Sequence, residues 1–402
     1  MAKTEPDARR CPYSGRCGGC SWTDIPYEEQ LKRKEAHVRR LLKDICPVRP
    51  IVGMEDPYYY RNKVHAVFSM GKDGKIISGI YEKGTHHVIP VRKCLIEEQR
   101  ADAVIQTVRR LAQSFRIKIY DEDRQTGFLR HVLVRTAHVT GEMLVVLVGS
   151  SPVFPSGKNF VRALLAEHPE ITSVVLNVND RKTSMVLGKR DIVLWGRGWI
   201  EDLLCGLRFR ISPQSFYQIN SVQTEKLYFK AAEAAGLMVP SGKSRKLHIL
   251  DAYCGIGTIG IYAACACPQA LVTGVELNRD AVRDASANAK RNHVDNIQFT
   301  AADATEWMKN TSSQGGRCDI LFMDPPRSGS TPDFIRAAAR MSPDRIIYIS
   351  CGPDSLARDL RLFGQRGYTA REAWPYDLFP FTPHVETVVA LTRAARNASQ
   401  NY

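Results

Sequence analysis

From Lys246 to Thr392 short apolar runs alternate with helical stretches, and this alternation restricts the fold more than any other feature. KLHIL, ALVTGVE, NIQFT, DILFMD, RIIYIS and VETVVALT are strand candidates, while RDAVRDASANAKRN and DSLARDLRLFG carry apolar residues at helical spacing. Alternation of this kind builds an open, mostly parallel, doubly wound α/β sheet, because parallel neighbours need a crossover between them. Ligands of such sheets lie outside the carboxyl ends of the strands. Residues at those ends are therefore the first candidates for chemistry.

LHILDAYCGIGTIGIYAA places Gly255-x-Gly257-x-x-Gly260 after a strand and at the start of a helix, and Glu276 ends the next strand, where a ribose-binding carboxylate is expected. The glycines allow close backbone approach, and the carboxylate can accept from both ribose hydroxyls. The pattern serves a dinucleotide and S-adenosylmethionine alike. Asp303, in FTAADAT, suits either the adenine end of such a ligand or the N-cap of the helix that follows. LFMDPPRSG ends the fourth strand with Asp324 and two prolines, a rigid non-helical exit, although Asp-Pro-Pro also makes an ordinary turn. Enzymes that methylate a planar amino nitrogen often carry an aromatic residue after such a pair. Arg327 stands there instead, which argues against that chemistry.

The fifth strand, IIYIS, ends in Cys351 and the last begins at Glu386. An isolated cysteine is usually a small buried hydrophobe. This one lies on the ligand rim, is followed by Gly-Pro, and has a carboxylate at the start of the next strand. Thiolate and carboxylate beside a methyl donor are what methylation at carbon 5 of a pyrimidine requires. Addition of the thiolate to carbon 6 makes carbon 5 nucleophilic enough to take a methyl group. A base must then remove the carbon 5 hydrogen so that the thiol can leave. Cys351 would be the nucleophile and Glu386 the base; His384 is a weaker candidate, better read as a structural histidine.

Upstream, Tyr58 to Trp199 holds short alternating segments (VHAVFSM, HVLVRTAHV, MLVVLV, SVVLNVN) and a helix near Ala101–Ser114, which predicts an antiparallel sheet. After SPQSFYQIN comes a helix over Ser221–Leu237 and a polar joint, VPSGKSRK. The boundaries expected are 1–50 for a cysteine-bearing segment, 51–202 for a central sheet domain and 203–402 for the α/β domain. The net charge of +14 favours a polyanionic partner, since Lys and Arg gain affinity by displacing counterions from phosphates. No apolar run reaches the roughly 20 residues of a membrane span, and the first residues have no apolar core of the signal-peptide kind. A soluble cytoplasmic protein with reduced thiols is expected.

Eleven cysteines in that setting point to metal, catalysis or burial. CPYSGRCGGC gives Cys11-x5-Cys17-x2-Cys20, with Cys94 alone later in VRKCLIEE. Four thiolates in turn-rich loops suit zinc or an iron–sulfur cluster equally. Cys46, Cys205, Cys254, Cys265, Cys267 and Cys318 read as structural.

SPQSFYQIN, DAYCGIGTIG, GVE, DPPR, SCGP and HVETVV, in this order, closely resemble the RNA (uracil-5-)-methyltransferase family. The resemblance implies a Rossmann-like S-adenosylmethionine-dependent methyltransferase domain behind a mainly antiparallel α+β central domain. It implies donor contacts at Gln218, Tyr253, Thr258, Glu276, Asp303 and Asp324, a nucleophile at Cys351 and a base at Glu386. The 23S rRNA branch resembles the cysteine pattern too, and carries there a [4Fe–4S] cluster that bacterial tRNA members generally lack. This implies Cys11, Cys17, Cys20 and Cys94 as cluster ligands and 23S rRNA as substrate, with tRNA as the alternative and no protein partner required.

Two positions depart from the family: Gly352 stands where many members have Asn, and Thr258 where some have an amide. Many rRNA members also carry a small TRAM-type β-barrel domain ahead of the cysteines, without a counterpart before Cys11. RNA affinity is then expected from YYYRNKVH (58–65) and GFLRHVLVR (127–135), which interleave aromatics with cations and resemble RNA-facing family segments. The target uridine has to leave its stack to reach Cys351. Two rivals of other classes remain: a dehydrogenase, which the glycine fingerprint alone permits, and a non-catalytic iron–sulfur protein of ribosome assembly.

Overall fold

The computed structural model describes residues 10–82, 84–238 and 246–393. Of the polar joint VPSGKSRK (239–246), residues 239–245 lie outside the described residues. Helix α1 (Tyr27–Leu42) precedes β1 (Lys63–Met70), β2 (Ile76–Tyr81), β3 (Val88–Pro90), α2 (Gln99–Ser114), β4 (Leu129–Thr136), β5 (Met143–Gly149), α3 (Gly157–Glu167), β6 (Ile171–Val178) and β7 (Arg190–Gly196). These strands form one sheet in the order β3-β2-β1-β4-β5-β6-β7. Its pairs are antiparallel except β5–β6, which α3 joins as a crossover. Residues at a spacing of two divide between its faces. Val132, Val134, Val145 and Leu147 pack with α2 and α3, whereas Leu133, Leu144, Val146 and Val148 share a core with the C-terminal half. β5 is therefore buried on both sides, which is why MLVVLV is uninterrupted.

The hairpin β8 (Ile200–Leu204) and β9 (Leu207–Ile211) turns through Cys205 and Gly206, both at positive φ (52° and 75°). Its strands pair across position 203, and Ile200, Leu204, Phe209 and Ile211 enter the core shared by both halves. Helix α4 (Ser221–Ala235) is N-capped by Asn220 and closed by Gly236 at φ 78°.

Then follow β10 (His248–Ala252), α5 (Thr258–Ala266), β11 (Leu271–Glu276), α6 (Arg279–Arg291), β12 (Ile297–Ala301), α7 (Ala304–Ser313), β13 (Ile320–Met323), α8 (Pro332–Met341), β14 (Arg345–Ser350), α9 (Pro353–Gly364), β15 (Tyr368–Tyr376) and β16 (Glu386–Arg393). Their order is β12-β11-β10-β13-β14-β16-β15. β10 to β14 are parallel as expected, and β16 is antiparallel to both its neighbours, so the sheet is mixed. β15 escapes sequence reading because it is an edge strand with a bulge at Ala370/Glu372, a proline at 375 and exposed Thr369 and Arg371.

Residues 38–48 are not a separate unit. Val38, Leu42, Cys46 and Val48 lie in one core with Met323, Tyr348, Leu356 and Val389. Val48 and Val52 make parallel bridges to Ala373 and Tyr376, covering the open edge of β15. Among the described residues no helix is long and apolar enough to cross a membrane.

Candidate active site

The chain leaves β10 through Tyr253 (φ 65°), Gly255 and Gly257 (φ 83°) before α5 begins. A Cβ on Gly257 would meet the Phe299 ring at 2.8 Å, and one on Gly260 would meet Asp251 Oδ2 at the same distance, so the fingerprint glycines answer to packing as well as to ligand approach. Glu276, at the end of β11, accepts hydrogen bonds from the backbone N–H of Gly255 (3.1 Å) and Asn278 (2.8 Å), which fixes its carboxylate against the loop. Thr258 and Tyr228 share a hydroxyl hydrogen bond of 3.1 Å, and Tyr253 and Ser330 one of 3.2 Å. Asp303 N-caps α7 through Glu306 N–H (3.0 Å) while staying exposed, so the capping reading holds without hiding it from a ligand. Gln218 is buried, and its carbonyl accepts from Asn62 Nδ2 (2.9 Å).

Asp251 is fully buried, accepts from Gly260 N–H (2.8 Å) through Oδ2, and leaves Oδ1 without a partner. Burial pushes its carboxyl up to about 8, and Asp324 and Glu276 add to the shift. Asp324, just beyond β13, is itself raised by burial, and its charge acts on Asp251, Tyr228, Cys351 and Glu386. It thus sits between the glycine loop and the thiol.

β14 and β16 pair with Ser350 opposite Thr387. Cys351 and Glu386 are the next residues outward, which puts thiol and carboxyl on neighbouring strands at one level. Cys351 is half-buried, and burial, then Glu386 and Asp324, push its thiol up to about 11. Glu386 is buried with Oε2 unpartnered; burial and Asp324 raise its carboxyl well above the usual range. Arg327 opposes both shifts. Its guanidinium lies against the His384 imidazole, which burial and Arg327 keep neutral. His384 is thereby an orienting acceptor for Arg327. Arg327 entered the sequence reading only as a non-aromatic residue; the DPPR motif was the signal for its place in the site.

The backbone around the thiol is equally constrained. The Arg327 carbonyl accepts from Ser355 Oγ (2.9 Å) and lies 2.7 Å from where a Cβ on Gly352 would stand. Gly352 therefore lets the Asp-Pro-Pro-Arg loop close over the start of α9.

A family model for tRNA (Uracil-5-)-methyltransferase matches residues 26–394. The chain belongs to this family. It is 38% identical over 387 residues to an uncharacterised RNA methyltransferase of Oceanobacillus iheyensis, covering 95% of this chain and 82% of that one. A second uncharacterised RNA methyltransferase, from Caldanaerobacter subterraneus subsp. tengcongensis, is 39% identical over 388 residues, 95% of this chain and 84% of its own length. The crystal structure of the Pyrococcus abyssi tRNA (uracil-54, C5)-methyltransferase in complex with S-adenosyl-L-homocysteine superposes with a TM-score of 0.77 at 27% identity, covering 96% of this chain and 87% of that one. The protein is thus an S-adenosylmethionine-dependent RNA (uracil-5-)-methyltransferase, and the dehydrogenase alternative falls.

In this uracil-5-methyltransferase, Cys11, Cys20 and Cys94 line one small cavity with Thr23, Leu95, Ile96 and Phe381. Cys17 is beside them: burial, then Cys17 and Cys11, push the Cys20 thiol up to about 12. The fold therefore gathers the four cysteines from two distant segments. Among the described residues no group of three or more His, Cys, Asp or Glu side chains is arranged to hold a metal ion. Of the six cysteines read as structural, Cys46, Cys254, Cys267 and Cys318 are buried and Cys205 sits in the β8–β9 turn, but Cys265 is exposed on α5.

The end of the first basic stretch, on β1, meets the end of the second, on β4, with Lys63 opposite Arg135 and His65 opposite Leu133. Several of their cations face inward. Arg130 is buried and pairs bidentately with Glu122 (2.8 Å) while donating to the carbonyls of Asn179 and Arg181. Arg135 is buried against the carbonyls of Pro213 and Ser215. Lys63 and His65 remain half-buried, and burial lowers them to about 8 and about 4. Nearby, Phe216 is 67% exposed two residues before Gln218; an exposed aromatic in SPQSFYQIN was the signal for it.

Proposed function

We propose that this enzyme methylates carbon 5 of a uridine in 23S rRNA, with Cys351 as nucleophile and Glu386 as base. The observation that carries the proposal is the placement of Cys351 just beyond β14 and of Glu386 at the start of its neighbour β16, one step past the Ser350–Thr387 pair and near Asp324. Cys351 loses its proton to solvent, and the thiolate sulfur bonds to carbon 6 of uracil as the carbon 5–carbon 6 double bond opens to an enolate, which makes carbon 5 electron-rich. Carbon 5 takes the methyl group from S-adenosylmethionine. Glu386 then removes the hydrogen of carbon 5, and the carbon–sulfur bond breaks as the ring double bond re-forms. Burial and Asp324 make the ionised Glu386 a stronger base than a carboxylate in water, and Arg327 favours both that ionised form and the Cys351 thiolate to which the negative charge passes when the proton is removed. Glu276 would hold the donor ribose, Asp303 its adenine end, and Gln218, Tyr253, Thr258 and Asp324 the rest.

Residues 203–402 would form the transferase domain, 51–202 the RNA-recognition domain, and Lys63, His65 and Phe216 part of the RNA face, with an aromatic free to stack on a base. Residues 1–50 would supply three ligands of a [4Fe–4S] cluster, Cys11, Cys17 and Cys20, and Cys94 would supply the fourth. What supports this reading is that Cys11, Cys20 and Cys94 line one small cavity with Cys17 close to Cys20. When bound it would shape the RNA-binding surface, because methyl transfer moves no electron. The cysteine set favours rRNA and a reducing cytoplasm.

A second reading, tRNA as substrate, is favoured by the Pyrococcus abyssi enzyme, whose named substrate is tRNA. Mapping 5-methyluridine in rRNA and tRNA from a deletion strain separates the two. A uridine unmodified in 23S rRNA is expected, and a loss confined to tRNA overturns that assignment. The non-catalytic assembly reading falls with the family assignment.

A further inference from the structure

Glu386 is delivered by a segment, Asp377–Val385, that has neither helix nor strand structure and contains two prolines. Such a segment does not by itself fix the side chain that follows it. Two residues of α1, remote in sequence, hold it. Gln30 is fully buried; its Oε1 accepts from Phe381 N–H (2.7 Å), and its Nε2 donates to the carbonyls of Ile25 (2.7 Å) and Trp22 (3.2 Å). Lys34, one turn on and also buried, donates to Asp377 Oδ1 (2.6 Å) and to the Phe379 carbonyl (3.0 Å). Phe381 sits at φ 66°, and its carbonyl accepts from Ser21 and Trp22 N–H (3.1 and 3.0 Å), directly after Cys20. A bulky residue in that conformation persists only where its surroundings impose it.

We propose that Gln30 and Lys34 are positioning residues for proton removal: from α1 they fix the Asp377–Val385 segment so that Glu386 enters the site level with Cys351. This rests on the assignment of Glu386 as base. A buried lysine and aspartate with directed hydrogen bonds are a poor way to gain stability, since apolar residues of similar volume often do as well. What the arrangement supplies is geometry: Gln30 Oε1 and Lys34 reach backbone and carboxyl groups of the one segment that leads into Glu386, while Gln30 Nε2 is held by the carbonyls of Ile25 and Trp22. Phe381 also forms part of the wall of the cysteine cavity, so the loop bearing the base and the loop bearing three cysteines meet at one residue.

The test compares two steps in the full-length enzyme on 23S rRNA transcribed in vitro. Adduct formation with 5-fluorouridine RNA reports thiol attack and methyl transfer; tritium release from [5-³H]uridine RNA reports proton removal. In Gln30→Met, tritium release is expected to fall about 10- to 100-fold, the scale of a misplacement of roughly 1 Å, with adduct formation unchanged. The segment containing Phe381 should exchange its amide hydrogens faster. Lys34→Met with Asp377→Leu, which leaves no unpaired charge, should show the same split. Equal loss in both steps, or no loss, overturns the proposal. If Glu386→Gln itself shows no split, the base assignment fails and this role with it. If Glu386→Gln shows the split and Gln30→Met does not, only the positioning role falls.

Discussion

Cys351 and Glu386 stand one residue beyond the Ser350–Thr387 pair, on antiparallel strands, so a thiol at the end of one strand meets a carboxyl at the start of the other. Their separation in sequence is bridged by α9 and β15, which return the chain so that β16 can lie between β14 and β15. The division of labour between them sets the first two predictions. Cys351→Ala should form no covalent adduct with RNA containing 5-fluorouridine and should lose turnover entirely. An adduct that survives in this variant would refute the nucleophile.

Glu386→Gln keeps the shape of the side chain and removes its basicity. Turnover should fall by about 100-fold or more, and a methylated enzyme–RNA species that resists denaturation should accumulate on gels. Normal turnover in this variant means that another group takes the proton.

Gly352→Ala tests the closure of the Arg327 loop over α9. The added methyl would lie 2.7 Å from both the Arg327 carbonyl and Ser355 Oγ, so the loop has to retreat. A loss of about 1–3 kcal/mol in stability is expected, with turnover falling further than donor affinity because Arg327 moves while Glu276 does not. Calorimetric titration of donor and thermal unfolding separate the two effects; unchanged values in both contradict the close contact.

Asp251 predicts a pH dependence of stability. Its folded carboxyl titrates near 8 because of burial, against about 3.9 in an unfolded chain. Between those values the folded protein binds the extra proton, so this contribution is fully present below about pH 4 and is lost as pH rises to about 8. Asp251→Asn keeps an acceptor for Gly260 N–H and removes the titration. The fall in unfolding free energy of the donor-free protein between pH 5 and pH 8 should shrink by on the order of a few kcal/mol; an unchanged difference shows that Asp251 ionises at its ordinary value.

The cysteine site makes a prediction about colour and metal content. Protein purified without oxygen should be brown and contain iron, and Cys94→Ser should lose most of that iron while retaining the fold. Zinc alone in the wild-type protein overturns the cluster.

The sequence by itself determined the parallel part of the C-terminal sheet and the placement of Glu276, Asp324 and Cys351 at strand ends, because strand–helix alternation and glycine spacing are local patterns that leave one topology open. It also marked Glu386 as the start of a strand. It did not determine that this strand runs antiparallel beside β14, since hydrogen-bonding partners are chosen by the whole sheet; the bulged edge strand β15, which makes room for that return, has no clear local signal. Nor did it show that α1 shares a core with the methyltransferase sheet, or that Gln30 and Lys34 reach Phe381 and Asp377, contacts between residues some 340 to 350 positions apart. Inward cations such as Arg130 and Arg135 were indistinguishable from surface ones in the sequence, because only the tertiary structure supplies the carboxylate and carbonyls that make their burial tolerable.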